Sequence, residues 1–195
     1  LTLRDELTGV VLELSYTVFA RDGILARNVR VKNEGEDTVF LNRVMSLNLD
    51  LPDADYDWIQ FSGAWSRERT PVQRRLTSGA QSVGSMRGHS SAHQNPFVIL
   101  KRPTADEFQG EAFGFSFVYS GNFLIQAEVD TYRVTRLQVG IHPEQFCWKL
   151  EKGESFQSPD AVMAYSDRGM NGLSQTLHRL YRERLARSVW KDRVR

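Results

Sequence analysis

The amino-acid sequence predicts a mainly β protein, folded as an antiparallel sandwich with a helix at its C-terminal end. Three observations predict it. Apolar residues alternate with polar ones over most of the chain, which is typical of strands with one buried face. Turn-forming residues separate these runs at spacings that favour an antiparallel sandwich over βαβ units. Near the C-terminus the apolar period lengthens to that of a helix.

The alternating runs and the turns between them can be followed in order. The runs cover residues 10–18, 29–31, 41–51, 113–119, 123–129 and 137–141, and Phe146, Trp148 and Val162 come after them. The turns lie at residues 22–23, 33–37, 120–122 and 152–154, where Gly, Asn and Asp are concentrated.

The alternation fails between Pro52 and Pro96, where Ser, Gly, Arg and His are frequent. We therefore expect a long irregular segment in this part of the chain. Such a segment inside a compact domain usually has a function or wraps around a neighbouring part of the protein.

Leu173, Leu177, Leu180 and Tyr181 recur at helical spacing, with arginines around them. This pattern predicts a helix that runs toward Trp190 and the end of the chain. A helix that leaves a sandwich in this way is expected to connect it to a further domain.

Composition limits the classes of partner and of compartment. The 195 residues predict one domain, and a net charge of +1 argues against nucleic acid as a partner. No apolar run approaches the roughly 20 residues of a membrane helix, so we expect no membrane partner. Cys147 is the single cysteine and no signal peptide is recognisable, which predicts a reducing compartment and a cytoplasmic location.

Other clusters of polar residues give weak signals. Asp53, Asp55 and Asp57 alternate, but the Gly and Glu positions of a calcium-binding loop do not follow. A solvated acidic turn at the end of a strand is favoured, with acid–base work on a sugar as the alternative. His89 and His93 lack a third patterned ligand, so we expect no metal and no other cofactor. Cys147, between two aromatic residues, is expected to be packed rather than nucleophilic.

Trp65 is the candidate binding residue. It follows Ser-Gly-Ala within a segment rich in arginine. Its position favours a core tryptophan, but an indole also suits the apolar face of a sugar ring. Stacking on nucleic acid is the third alternative, which the balanced charge disfavours. These alternatives remain open on residue chemistry alone.

Four longer strings carry a family resemblance, and together they extend over nearly the whole chain. They are LDLPDADYDWIQFSGAWSRER (49–69), RGHSSAHQNPF (87–97), GFSFVYSGNFLIQAEVD (114–130) and MNGLSQTLHRLYRERL (170–185). In these strings the chain resembles the N-terminal β-domain of family 36 glycoside hydrolases, the bacterial α-galactosidases of the raffinose and melibiose type.

The resemblance implies a β-supersandwich similar to galactose mutarotase in residues 1–168, incomplete because N-terminal strands of the family domain are missing. Residues 169–195 would be a connector helix toward an absent (β/α)₈ catalytic barrel. That barrel carries the two catalytic aspartates, which cleave terminal α-linked galactose with retention of configuration and without metal. The chain itself would therefore contain no catalytic residue and should be inactive alone.

The resemblance also implies partners. These are an α-galactoside, the protein's own barrel and further copies of the protein, with a tetramer expected. The tryptophan of the family's Ser-Gly-Ala-Trp string contacts substrate in a neighbouring subunit's active site, and it corresponds to Trp65. A stand-alone carbohydrate-binding or assembly module without catalysis is the alternative. A mutarotase-like epimerase is disfavoured, because no recognised pairing of His and carboxylate is present.

Overall fold

The computed structural model describes residues 1–90 and 92–186. Within these ranges the chain forms fifteen strands, one α-helix and a final π-helical turn. The elements are β1 (Thr2–Arg4), β2 (Val10–Phe19), β3 (Ile24–Asn33), β4 (Val39–Leu41), β5 (Met45–Leu51), β6 (Asp57–Ala64), β7 (Arg67–Arg75), β8 (Gly79–Ser85), β9 (Gln94–Lys101), β10 (Ala112–Phe117), β11 (Phe123–Val129), β12 (Thr135–Ile141), β13 (Trp148–Leu150), β14 (Ser155–Gln157), β15 (Ala161–Ser166), α1 (Gly169–Leu180) and the π-helical turn Tyr181–Leu185.

The strands form two main sheets. The larger sheet has nine strands, in the order β1-β2-β3-β15-β10-β9-β6-β7, with β14 also paired to β3. The smaller sheet has the order β5-β12-β11-β8, and β13 and β4 form a separate pair. The pairings within the larger sheet, such as β2 with β3 and β6 with β9, are antiparallel, as are those within the smaller one. The predicted antiparallel β architecture is therefore confirmed.

The main core lies between the two sheets, and the alternation of apolar residues explains which side chains fill it. On β10, Phe115 and Phe117 enter this core together with Trp58 of β6. Gly114 directly precedes Phe115 in sequence and faces the other way. A Cβ atom at Gly114 would lie 3.3 Å from the side chain of Leu173. The absence of a side chain at this position lets α1 pack close to the sheet.

Helix α1 covers the outer face of the larger sheet. Its buried residues Leu173, Leu177 and Leu180 form a second cluster with Ile59 and other apolar residues of the sheet. The backbone N–H of Met170 donates to the carbonyl oxygen of Asp106, so a loop takes the place of a side-chain cap at the start of the helix. The helix predicted from apolar spacing is confirmed over Gly169–Leu180. Trp190 and the rest of 187–195 lie outside the described residues.

The prediction of an irregular segment between Pro52 and Pro96 is wrong. This part of the chain contains β6, β7, β8 and the beginning of β9. Trp58, Ile59 and Gln60 are successive buried residues of β6, so both faces of this strand are covered and no alternation remains. β7 is the edge strand of its sheet and is exposed along nearly its whole length. Arginine and proline are tolerated on such an edge strand. Because they replace apolar residues, β7 lacks the apolar–polar alternation that identifies other strands.

Cys147 was expected to be packed, and this expectation is wrong: its side chain is exposed in the segment before β13. The neighbouring rings of Trp148 and Phe146 instead contact Phe156 of β14. Across residues 1–90 and 92–186, no helix is long and apolar enough to cross a membrane.

Candidate functional site

Trp65 lies at the tip of the hairpin between β6, which ends at Ala64, and β7, which begins at Arg67. Its side chain is 89% exposed, whereas Trp58 in the same strand pair is 0% exposed. The core position that the sequence favoured for Trp65 is therefore wrong. An indole left in solvent at the tip of a hairpin is free to bind a flat or ring-shaped ligand.

The backbone of this hairpin tip has a defined shape. The register of β6 against β7 shifts between Ser62 and Ala64, so Gly63 forms a bulge. A Cβ atom at Gly63 would lie 2.2 Å from the carbonyl oxygen of Arg67, so only glycine fits there. Ser66 has a φ of 64° and its N–H donates to Oε1 of Glu68 at 3.0 Å. These features shape the turn that carries Trp65.

A row of polar side chains joins the hairpin to the protein core; we call it the β6 hydrogen-bond chain. Nε1 of Trp58 donates to Oε1 of Gln60 at 3.0 Å, and Nε2 of Gln60 donates to Oγ of Ser62 at 3.0 Å. Oγ of Ser62 then donates to Oε1 of Gln94 on β9 at 2.9 Å. The three β6 residues are two positions apart and share one face of the strand. Hydrogen bonds thus connect the base of the hairpin to the fully buried Trp58.

Sequence reasoning missed the β6 hydrogen-bond chain. The signal was present, since Gln60 and Ser62 follow Trp58 at the period of a strand. It could be recognised only once 57–64 was known to be a strand.

The loop before β9 packs against the same hairpin. The N–H of Gly63 donates to the carbonyl oxygen of His93 at 3.1 Å, and Nδ2 of Asn95 donates to the carbonyl oxygen of Phe61 at 3.2 Å. The His93 ring lies near Arg87, with Nδ1 and Nη1 3.2 Å apart. Within the described ranges no group of three or more His, Cys, Asp or Glu residues is arranged to hold a metal ion. His93 here acts as a neighbour that supports the hairpin.

Asp53 and Asp55 lie in the exposed connection after β5, as expected, whereas Asp57 is the first residue of β6; all three also take part in ion pairs. Asp53 accepts from Nη1 of Arg102 at 2.7 Å, and that guanidinium lies over the ring of Tyr56. The hydrogen bond from Arg102 lowers the pKa of the Asp53 carboxyl below its usual value. Asp57 is within 3.6 Å of Nζ of the buried Lys101. These carboxylates therefore stabilise the base of β6.

An apolar groove of about 860 Å³ lies between α1 and the outer face of the larger sheet. Its apolar lining includes Ile59, Phe61, Phe97, Met170, Leu177 and Tyr181. The sequence could not indicate this groove, because it forms only where the helix packs beside β6 and β9.

The family model described as the glycosyl hydrolase family 36 N-terminal domain matches residues 1–151. The chain belongs to glycoside hydrolase family 36. The melibiase family model matches residues 155–195, a range that includes β15 and α1.

Family 36 relatives that match this chain are α-galactosidases. Alpha-galactosidase AgaA of Geobacillus stearothermophilus is 50% identical over 195 residues, which is 100% of this chain and 27% of the relative. Alpha-galactosidase 2 of Hypocrea jecorina is 39% identical over 97% of this chain and 26% of the relative. The chain thus spans about a quarter of the length of the curated relatives it matches.

Solved family 36 structures share the fold. A crystal structure of an AgaA variant in complex with stachyose superimposes with a TM-score of 0.98 at 50% identity, covering 100% of this chain and 27% of that one. The galactosidase domain of the α-galactosidase–sucrose kinase AgaSK gives a TM-score of 0.96 at 35% identity, with the same shares of 100% and 27%. The β-sandwich followed by a helix is therefore the fold of the family 36 N-terminal domain.

Proposed function

We propose that these residues form the N-terminal, non-catalytic domain of an α-galactosidase that hydrolyses terminal α-linked galactose from melibiose- and raffinose-type oligosaccharides with retention. The domain supports assembly of a tetramer and supplies Trp65 to the active site of a neighbouring subunit. The exposed position of Trp65 at the tip of a shaped hairpin carries this proposal.

The relatives support the choice of substrate class. The matching curated proteins are named α-galactosidases, and AgaA variants have been crystallised with stachyose and with raffinose. The presence of the melibiase match after residue 155 supports a catalytic domain that continues from α1.

The chemistry of a retaining glycosidase supports placing bond cleavage in the barrel and part of substrate binding in this domain. Such an enzyme needs two carboxyl groups about 5 to 5.5 Å apart across the sugar. The strand ends of a (β/α)₈ barrel can fix that distance, and active sites gather there. In this domain the Asp53 and Asp57 carboxylates are bound to Arg102 and Lys101. The domain therefore contributes to substrate binding, and we expect the isolated chain to have no hydrolytic activity.

Trp65 suits the role of a wall for the sugar. Its indole offers a large rigid face to the C–H bonds of a pyranose and one N–H donor for a hydroxyl group. A wall of this kind excludes water and orients the galactoside without taking part in bond cleavage. The β6 hydrogen-bond chain supports the base of the hairpin, which limits the entropy lost when substrate binds.

The groove beside α1 is the surface that we assign to the catalytic barrel. It is mainly apolar and borders the helix from which the chain continues. Packing of the barrel there would bury Phe61 and Phe97 and fix the position of α1.

The test is a kinetic comparison in the full-length enzyme. Trp65→Ala should lower kcat/KM on melibiose and raffinose by tenfold or more, about 1.4 kcal/mol of lost transition-state binding, with the tetramer intact. Tyr132→Ala is the matched control, because Tyr132 is also an aromatic residue in a turn and is 87% exposed. Unchanged kinetics for Trp65→Ala would exclude a role in substrate binding. A wild-type enzyme without α-galactosidase activity would overturn the whole proposal.

Subunit mixing tests whether Trp65 acts on a neighbouring active site. A subunit with an inactivated barrel but intact Trp65 is co-assembled with a Trp65→Ala subunit. If the tryptophan acts in trans, mixed tetramers should be more active than either parent enzyme, because the intact Trp65 completes the site of the Trp65→Ala subunit's barrel. Mixed tetramers no more active than the parents would place Trp65 in its own subunit's site or in none.

The alternative function, a carbohydrate-binding module without catalysis, is favoured by the same exposed indole. Calorimetry of the chain with galactose, melibiose and raffinose separates the two. Micromolar binding by the isolated chain supports the module, whereas an incomplete binding site supplied to a barrel should show no measurable binding.

A further inference from the structure

The loop between β8 and β9 lies beside the hairpin that carries Trp65; its residues 86–90 and 92–93 are described. Since β8 belongs to the smaller sheet and β9 to the larger one, this loop crosses one end of the sandwich. At its end the carbonyl oxygen of His93 accepts from the N–H of Gly63 at 3.1 Å. Gly63 is two residues before Trp65, so the loop contacts the hairpin directly behind its tip.

Hydrogen bonds also restrain the middle of this loop. The N–H of Gly88 donates to Oδ1 of Asn122 at 2.6 Å. The N–H of Ser90 donates to the carbonyl oxygen of Ser120 at 2.8 Å. Both acceptors lie in the connection between β10 and β11. The loop is therefore restrained before any ligand binds, which lowers the entropy lost on binding.

Arg87 is an exposed cation of this loop whose direction is set by a histidine. Its Nη1 lies 3.2 Å from Nδ1 of His93. Because a guanidinium only donates, Nδ1 of His93 is the acceptor and carries no proton. Among the ion pairs of residues 1–90 and 92–186, none includes Arg87. Its guanidinium is thus oriented without being neutralised by a carboxylate.

A guanidinium held beside an exposed indole is suited to carbohydrate. The indole of Trp65 offers a flat surface to the C–H face of a sugar ring. The guanidinium of Arg87 has further N–H donors besides the one directed at His93, and hydroxyl oxygens at the rim of a sugar can accept from them. Hydrogen bonds from a charged donor are roughly twice as strong as those between neutral groups.

The positions of Trp65 and Arg87 decide which part of a substrate each can reach. Trp65 is at the tip of the hairpin, whereas Arg87 is bound through His93 behind that tip, nearer the body of the domain. Under the proposed function the tip approaches the barrel, where the galactose lies between two carboxyl groups. Sugar units attached to that galactose extend away from these carboxyl groups, past the indole and toward Arg87.

We propose that Arg87 binds hydroxyl groups of the sugar units attached to the galactose, and that His93 is the positioning residue for its guanidinium. This inference rests on the proposed function and deepens it, because it names a residue that favours oligosaccharides over galactosides whose leaving group is not a sugar. Such a contact is made in the bound substrate and persists in the transition state. Its loss should therefore raise KM and leave kcat on the oligosaccharide nearly unchanged.

Kinetics of the full-length enzyme on two substrates test the role of Arg87. Raffinose has two sugar units attached to its galactose, whereas p-nitrophenyl α-galactoside has a flat leaving group without sugar hydroxyls. Arg87→Gln should lower kcat/KM on raffinose at least ten times more than kcat/KM on the nitrophenyl substrate, with most of the loss in KM. The tetramer should stay intact in size-exclusion chromatography, because the side chain of Arg87 is exposed.

Arg21→Gln is the matched control. Arg21 is also exposed, and it lies in the turn between β2 and β3. The strand registers place that turn at the end of the larger sheet opposite the hairpin tip. Arg21→Gln removes the same charge and should change the ratio of the two kcat/KM values less than twofold.

Two variants of His93 separate positioning from a general structural role. His93→Phe removes the acceptor for Arg87 and should lower kcat/KM on raffinose selectively. His93→Gln keeps an oxygen that can accept from Arg87 and should restore most of that loss. The double variant of Arg87→Gln with His93→Phe should be no worse than Arg87→Gln alone, because both changes act through one contact. Equal losses on both substrates in His93→Phe, without recovery in His93→Gln, would refute the positioning role.

The same assays keep the two proposals apart. An active enzyme in which Arg87→Gln leaves the substrate ratio unchanged, or lowers both kcat/KM values equally, retains the proposed function and loses this inference. A wild-type enzyme without α-galactosidase activity loses the proposed function, and this inference with it.

Discussion

Replacing Gln60 by Met tests whether the β6 hydrogen-bond chain stabilises the hairpin. Met has nearly the volume of Gln, so the change removes polar atoms with little change in packing. Nε1 of the 0% exposed Trp58 then loses its acceptor. Ser62 keeps its hydrogen bond to Gln94, so one buried donor is left unsatisfied.

The expected magnitude follows from that single lost acceptor. A buried donor without a partner costs about 1–3 kcal/mol. Because every 1.4 kcal/mol corresponds to a factor of ten, local opening of β6 should become about 5 to 150 times more frequent. Hydrogen exchange followed by mass spectrometry on peptide 57–64 of the full-length enzyme measures this local free energy without requiring two-state unfolding.

Gln73→Met on the neighbouring strand β7 is the control, because it removes an exposed hydrogen bond, from Nε2 of Gln73 to Oδ2 of Asp57 at 2.9 Å, rather than a buried one. It should change exchange less than threefold. Trp58→Phe in the Gln60→Met background removes the indole N–H that has lost its acceptor. This second change should recover part of the lost free energy of local opening. Equal exchange in wild type and Gln60→Met would refute the argument that this hydrogen bond supports the hairpin.

Two further predictions concern the hairpin and the base of β6. Gly63→Ala should lower kcat/KM on melibiose at least as much as Trp65→Ala, because its Cβ would lie 2.2 Å from the carbonyl oxygen of Arg67 and distort the turn; unaltered kinetics would show that the bulge is dispensable. Arg102 lowers the pKa of Asp53 in the folded protein below its ordinary value of 3.8. The ion pair therefore stabilises the fold fully at pH values above 3.8, and this stabilisation is lost as the pH falls through the lowered pKa. Thermal denaturation between pH 6 and pH 2.5 should therefore show less acid destabilisation in Arg102→Gln than in wild type, and parallel pH profiles would contradict this.

The fold class could be predicted because one physical signal dominates most of the chain. A strand with one covered face must alternate apolar and polar residues, as in β11, where Ala127 and Val129 are buried and Glu128 is exposed. The helix α1 was predictable for the corresponding reason, since Leu173, Leu177 and Leu180 occupy one face. The signal failed at β6 and β7, because β6 is covered on both faces and β7 is an exposed edge.

The candidate site could be predicted only in part. The sequence singled out Trp65 and left three environments open for it. Its exposure depends on which residues form the turn between β6 and β7, and that turn is fixed by the bulge at Gly63. The buried Arg27 of β3, which donates to the carbonyl oxygen of Ser46, gave no signal, because an arginine in a strand normally lies in solvent.

By itself, the sequence determined the alternating strands outside the 52–96 segment. It also determined that the last described segment becomes a helix and, through long shared strings, the family. Only the tertiary structure decided that Trp58 lies in the core while Trp65, seven positions later, lies in solvent. Hydrophobic periodicity is a local property that each segment carries with it. The environment of a particular side chain depends instead on strands distant in sequence, such as β9 beside β6 and β5 opposite β3, which are brought together only when the sheets pack.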